Sequence, residues 1–162
     1  YLMFERFFEL NTISYPELFI RMGLACLFGF VLGYNRSKEG KPLGYRVYII
    51  VCVTTCLLAL MSIEMQGFLK DEIKTLDVGK IISGVLTGIG FLGAGAIMKK
   101  EDDHIIGTTT GACIWGAGGL GLLLGFGYYP LAIIGFIIIA FTTVFLNDVL
   151  GTFVKDKHLD SH

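Results

Sequence analysis

The sequence predicts an all-α fold: a polytopic membrane bundle of about five transmembrane helices, closely packed through glycine, with its N-terminus outside and its C-terminus inside. Three observations lead there. Hydrophobic residues make up 54% of the chain and charged residues 17%, a poor match to a soluble domain. The apolar residues gather in five runs near the length of about 20 residues that a spanning helix needs. Two of those runs are dense in glycine. A soluble helix loses roughly 1 kcal/mol per glycine relative to alanine. In a bilayer the helix keeps its internal hydrogen bonds, and glycine lets helix backbones approach.

The five runs are Leu18–Tyr34, Val47–Ile63, Ile81–Met98, Gly107–Phe126 and Tyr128–Leu150. Pro16 and Pro130 suit the starts of the first and last. Residues 1–16 mix Phe4, Phe7 and Phe8 with Glu5, Arg6 and Glu9. That stretch is too short and charged to span and lacks signal-peptide features, so an interfacial helix is expected. Residues 17–151 form one transmembrane domain. Residues 152–162 are expected to be a cytoplasmic tail with no soluble C-terminal domain.

Orientation follows lysine and arginine in the short loops. Arg36, Lys38, Lys41 and Arg46 follow run one, Lys99 and Lys100 follow run three, and Lys155 and Lys157 follow run five. All fall on one side if every run spans. The other side holds Arg6, Arg21, Lys70, Lys74 and Lys80 among several carboxylates.

Close helix packing is the expected use of the small-residue pairs. Gly29-x-x-x-Gly33, Gly84-x-x-x-Gly88, Gly107-x-x-x-Gly111 and Gly121-x-x-x-Gly125 supply them, with Gly90, Gly93 and Gly95 beside them. Gly88-x-Gly90-x-x-Gly93 has the spacing of a dinucleotide fingerprint but not its strand–helix context. Trp115 is expected to fill the space left by Gly90, Gly93 or Gly95. The four cysteines lie inside apolar runs and read as small packing residues.

The chemical candidates are few. No nucleophile–base pair or metal-ligand set is evident, so the sequence points away from an enzyme and from a bound cofactor. Glu101, Asp102 and Asp103 could gather Mg²⁺, but Lys99 and Lys100 adjoin them and a solvated loop is the plainer reading. Glu64, Asp71, Glu72 and Asp77 also read as solvated. The first four runs hold no Asp, Glu, Lys or His in their cores, whereas side-chain cation paths normally use carboxylates or histidine there. An inner-mouth polar cluster is expected from Asn35, Arg36, Arg46, Thr108, Thr109 and Thr110, where the start of run four favours an anion. An acidic lipid, a phosphate or a partner's carboxylate would suit it. Arg36 could instead pair with Asp148. No basic, aromatic-interleaved face for nucleic acid appears. Self-association as a homodimer is expected from glycine faces in excess of a hairpin's needs.

Gly88-Ile-Gly-Phe-Leu-Gly-Ala-Gly-Ala-Ile-Met98, then Gly107-Thr-Thr-Thr110 and Trp115, resemble the membrane domain of the MgtC/SapB family. Gly29, Gly33, Arg36 and Gly44-x-Arg46 extend the resemblance from about Leu18 to Phe145. It departs at Asn35, Val47 and Gly116, where the family commonly has Glu, Thr and, in some members, Cys. The resemblance implies a multi-pass bacterial inner-membrane protein linked to growth at low magnesium and, in some pathogens, to survival inside macrophages. It implies a non-enzymatic binder or regulator of a membrane partner. The alternative is a channel or transporter for Mg²⁺ or another small ion, with Mg²⁺ as ligand or substrate.

Overall fold

A computed structural model describes residues 10, 12–38, 43–68, 77–99 and 105–143. Five helices lie among them. α1 is Tyr15–Lys38, α2 is Tyr45–Phe68, α3 is Val78–Gly95 and α4 is Thr108–Gly125. α5 is Tyr129–Thr143. A two-residue antiparallel ladder joins α3 to α4, pairing β1 (Met98–Lys99) with β2 (Ile105–Ile106). Three helices are long and apolar enough to cross a membrane: α1, α2 over Tyr45–Gly67, and α3.

Local signals set the ends. Pro16 lies in the first turn of α1, where its missing N–H costs nothing. Asp77 caps α3 by accepting from the Lys80 amide at 3.2 Å. α4 ends in a paired-carbonyl turn. Gly127, at φ 82°, donates to the Leu124 carbonyl, and Tyr128 donates to that of Leu123. Only glycine adopts that left-handed geometry without strain.

α4 is the central element. It packs on α1, α2 and α3 and buries Ile114, Ala117, Leu120 and Leu124. Its apolar character all round fits this position. α1 contributes Ala25, Phe28 and Leu32 to the same core, and α2 contributes Tyr48, Cys52 and Cys56. α5 joins through Phe136, stacked on Phe28 with ring centroids 4.2 Å apart.

Glycine marks the tightest crossings. A Cβ at Gly29 would lie 2.7 Å from Ile49 Cα, and one at Gly33 would lie 2.6 Å from Tyr45 Cα. Gly93 of α3 and Gly111 of α4 face each other; a Cβ on Gly111 would lie 2.6 Å from the Gly93 carbonyl oxygen. Gly121 and Gly125 sit against the Cys52 and Cys56 carbonyls of α2.

Several boundaries and roles differ from the sequence reading. α1 and α2 are longer, so Asn35 and Arg36 lie within the last turns of α1, and Arg46 and Glu64 within α2. α3 stops at Gly95, and Met98 belongs to the β ladder, where its backbone pairs with Ile106. Gly88, Gly90 and Gly95 have open space where a Cβ would stand, so the bundle does not close on them. Trp115 is 50% exposed, and no atom of it lies within 4 Å of a Cβ built at Gly90 or Gly95 or among the nearest neighbours of one at Gly93. The expected interfacial segment falls mostly, and the tail wholly, outside the described residues, as do Glu101, Asp102, Asp103 and Asp148.

Candidate functional site

α1 and α4 run antiparallel, and an arginine joins them at each end. At one end Arg36, 3% exposed, donates from Nη2 to the Thr110 hydroxyl at 3.3 Å. At the other, Arg21, 7% exposed, donates to the Gly125 carbonyl at the end of α4. The arginines are 15 residues apart, and so are their partners. At 1.5 Å per residue this spacing is about 22 Å, most of a bilayer core.

The Arg36 end holds the polar cluster expected from sequence, in part. Thr110 is fully buried against Arg36. Tyr48 of α2 is also fully buried, with its hydroxyl beside Arg36 and near Cys113. Gly107 precedes α4 at φ 92° and caps it without a side-chain bond. Its Cβ, if present, would collide with the Ala96 carbonyl, so glycine is required there. Thr108 and Thr109 are exposed in the first turn, and Arg46 is exposed in the first turn of α2. Those three side chains do not join the buried pair. Asn35 turns toward a cleft of about 230 Å³ between α1 and α5, lined also by Phe30, Val31, Tyr34, Ala140 and Thr143.

The Arg21 end was missed by the sequence reading, which counted Arg21 as a loop charge. Its Nη2 pairs with Glu17 one turn earlier, and its Nε donates to the Tyr129 hydroxyl at 3.2 Å. The guanidinium also lies 5.9 Å from the Tyr129 ring centroid. One side chain thus ties α1 to the carbonyl end of α4 and the start of α5, where positive charge complements the helix dipole. The available signal was an arginine inside an apolar run, which marks a partnered site by default. Glu64, read as solvated, instead accepts from the Thr12 amide at 3.1 Å and the Ile13 amide at 2.8 Å. It anchors the chain entering α1 to the end of α2.

Among the described residues no three His, Cys, Asp or Glu side chains converge as metal ligands. Buried polar and charged side chains there are Arg21, Arg36, Thr55, Ser62, Thr110 and Thr143. None is a carboxylate. Thr55 and Ser62 donate to carbonyls of their own helix, as does Thr143. The two arginines are therefore the distinctive chemistry of the described interior.

The profile of the MgtC family matches residues 22–151. Protein SapB of Bacillus subtilis is 38% identical over 88% of this chain and 62% of its own length. Protein MgtC of Salmonella typhimurium is 30% identical over 86% of this chain and 56% of its own. A protein of Escherichia coli K12 named "Putative magnesium transporter YhiD" is 34% identical over 74% of this chain and 55% of its own. The chain thus spans little more than half the length of these curated relatives. No solved structure matches it. With three helices long and apolar enough to cross a bilayer this is a membrane protein, and the chain belongs to the MgtC family.

Proposed function

We propose that this protein is a non-enzymatic, multi-pass protein of the bacterial inner membrane that serves magnesium adaptation by binding or regulating a membrane partner. The observation that carries the reading is the buried polar set. Its charged members among the described residues are both arginines. A fixed positive charge in a low-dielectric interior repels a divalent cation. Cation paths instead gather carboxylates or carbonyl rings.

All five helices cross the membrane in this reading, with Lys38, Arg46 and Lys99 on the cytoplasmic side and the Arg21 end outside. Self-association as a homodimer uses α3. Gly84, Gly88 and Gly95 of that helix meet nothing within 4 Å, and Phe91 beside them is 81% exposed.

The second reading is a channel or transporter for Mg²⁺ or another small ion. The name carried by the Escherichia coli relative favours it. Growth of a magnesium-sensitive bacterial strain, complemented with the Arg36→Lys variant, tests the regulator reading. Lysine keeps the charge and loses the planar fork. Loss of low-magnesium growth at normal membrane levels is expected. Full complementation would remove Arg36 from the functional site.

A further inference from the structure

We propose that the cleft between α1 and α5 is a binding slot for one acyl chain of an anionic phospholipid, whose headgroup meets Lys38 at the rim. The inference goes beyond the magnesium reading and shares with it only the placement of α5 in the bilayer beside α1.

The slot has an end wall, two sides and a charged rim. Phe28 and Phe136 stack with centroids 4.2 Å apart and join α1 to α5 toward the middle of the bundle. Asn35 and Thr143, which line the cleft, lie two turns further along their helices. At 1.5 Å per residue the opening runs for about 10 Å of helix length. Phe30, Val31 and Tyr34 form the α1 side, and all three are exposed beyond the packed core. Phe30 is held in place by Tyr34 and Tyr45, at centroid distances of 5.6 and 6.0 Å, so this side is preformed. On the α5 side the Thr143 hydroxyl already donates to the Ile139 carbonyl of its own helix. The volume of about 230 Å³ falls below the roughly 300 Å³ at which small-molecule pockets begin. A helix, about 10 Å across with its side chains, cannot enter. Water does not fill an apolar cavity. A slender hydrocarbon chain fits. Lys38 is exposed in the last turn of α1, one turn beyond Tyr34 and therefore on the same face. α1 is long and apolar enough to cross the membrane, so its last turn stands at headgroup depth. A lysine ammonium there attracts phosphate and favours an anionic headgroup. Apolar slot and cationic rim follow one another in the order in which a phospholipid presents chain and phosphate.

The full chain, delipidated in a maltoside detergent, is titrated with phosphatidylglycerol or with phosphatidylethanolamine of the same chains. Adducts are counted by native mass spectrometry. One lipid per chain is expected at saturation, with phosphatidylglycerol about fivefold tighter, the effect of one basic residue at a membrane surface. Lys38→Gln should abolish that preference and keep the binding. Val31→Trp fills the slot from a position 40% exposed, and Ala140→Leu fills it from α5. Each should weaken both lipids about tenfold or more, the effect of expelling two methylenes. Either variant that melts with the parent decides the matter. Glycerol 3-phosphate, which has the phosphate and no chain, should not bind. Adducts that accumulate without saturation, or equal binding by a folded slot variant and the parent, overturn the slot. Release of a second copy instead of lipid by either variant also overturns it, in favour of a contact between copies. No magnesium phenotype enters the measurement, so failure of the regulator reading leaves its result standing.

Discussion

Replacing Gly29 by alanine adds one methyl group where α1 meets the backbone of α2. That methyl carbon would stand 2.7 Å from Ile49 Cα and 2.8 Å from the Tyr48 carbonyl oxygen. Unbonded carbons rest about 3.5–4.0 Å apart, so the helices must separate by roughly 1 Å. The obstructing atoms are backbone, and no rotamer change relieves them. Overpacking of this kind costs about 1–3 kcal/mol. Gly88→Ala is the control, because a Cβ there meets nothing within 4 Å. It should shift stability by no more than about 0.5 kcal/mol. Cys52, Cys56 and Cys113 are buried and Cys26 is exposed. A thiol-reactive fluorophore in a Cys26→Ser background therefore reports unfolding in detergent. Gly29→Ala should melt several degrees below its parent, and Gly88→Ala should melt with it. Equal melting of Gly29→Ala and parent would refute the backbone-to-backbone crossing.

Other perturbations separate the two ends and faces of the bundle. Arg21→Met leaves the Gly125 carbonyl and the Tyr129 hydroxyl without their donor; it should cost about 1–3 kcal/mol in the same melting assay. Trp115→Ala should change monomer stability little, since half of that side chain is already outside the packed bundle. Gly88→Leu should dissociate the proposed homodimer in native mass spectrometry while leaving the melting temperature unchanged, because the monomer packs nothing on that position. A strictly monomeric parent in several mild detergents would remove the dimer.

The helices were legible because apolar run length is a strong signal. Their ends were less so. The polar residues Asn35, Arg36 and Glu64 lie inside helices, where side chains at the membrane edge extend the run past its apolar core. Gly29 and Gly33 could be read as a small-residue face, and α2 lies against them. Gly84 and Gly88 carry the same spacing but face open space. Spacing finds a face; which helix covers it depends on tertiary arrangement. The same limit applies to Trp115, whose side of α4 no local pattern specifies. Arg36 and Thr110 could be brought together because both sit at the ends of runs predicted on one side. Arg21 was hidden by treating it as a topology charge. Its i,i+4 partner Glu17 and its place in an apolar run were the readable signs of a buried role.

The central claim is that this protein binds or regulates and does not conduct Mg²⁺. Its most direct test is Mg²⁺ flux into liposomes containing the purified full chain and an enclosed magnesium-sensitive dye. The arrangement of two buried arginines predicts flux no greater than that of protein-free liposomes across a range of Mg²⁺ concentrations. Saturable flux above that background would contradict the claim and establish the transporter reading in its place.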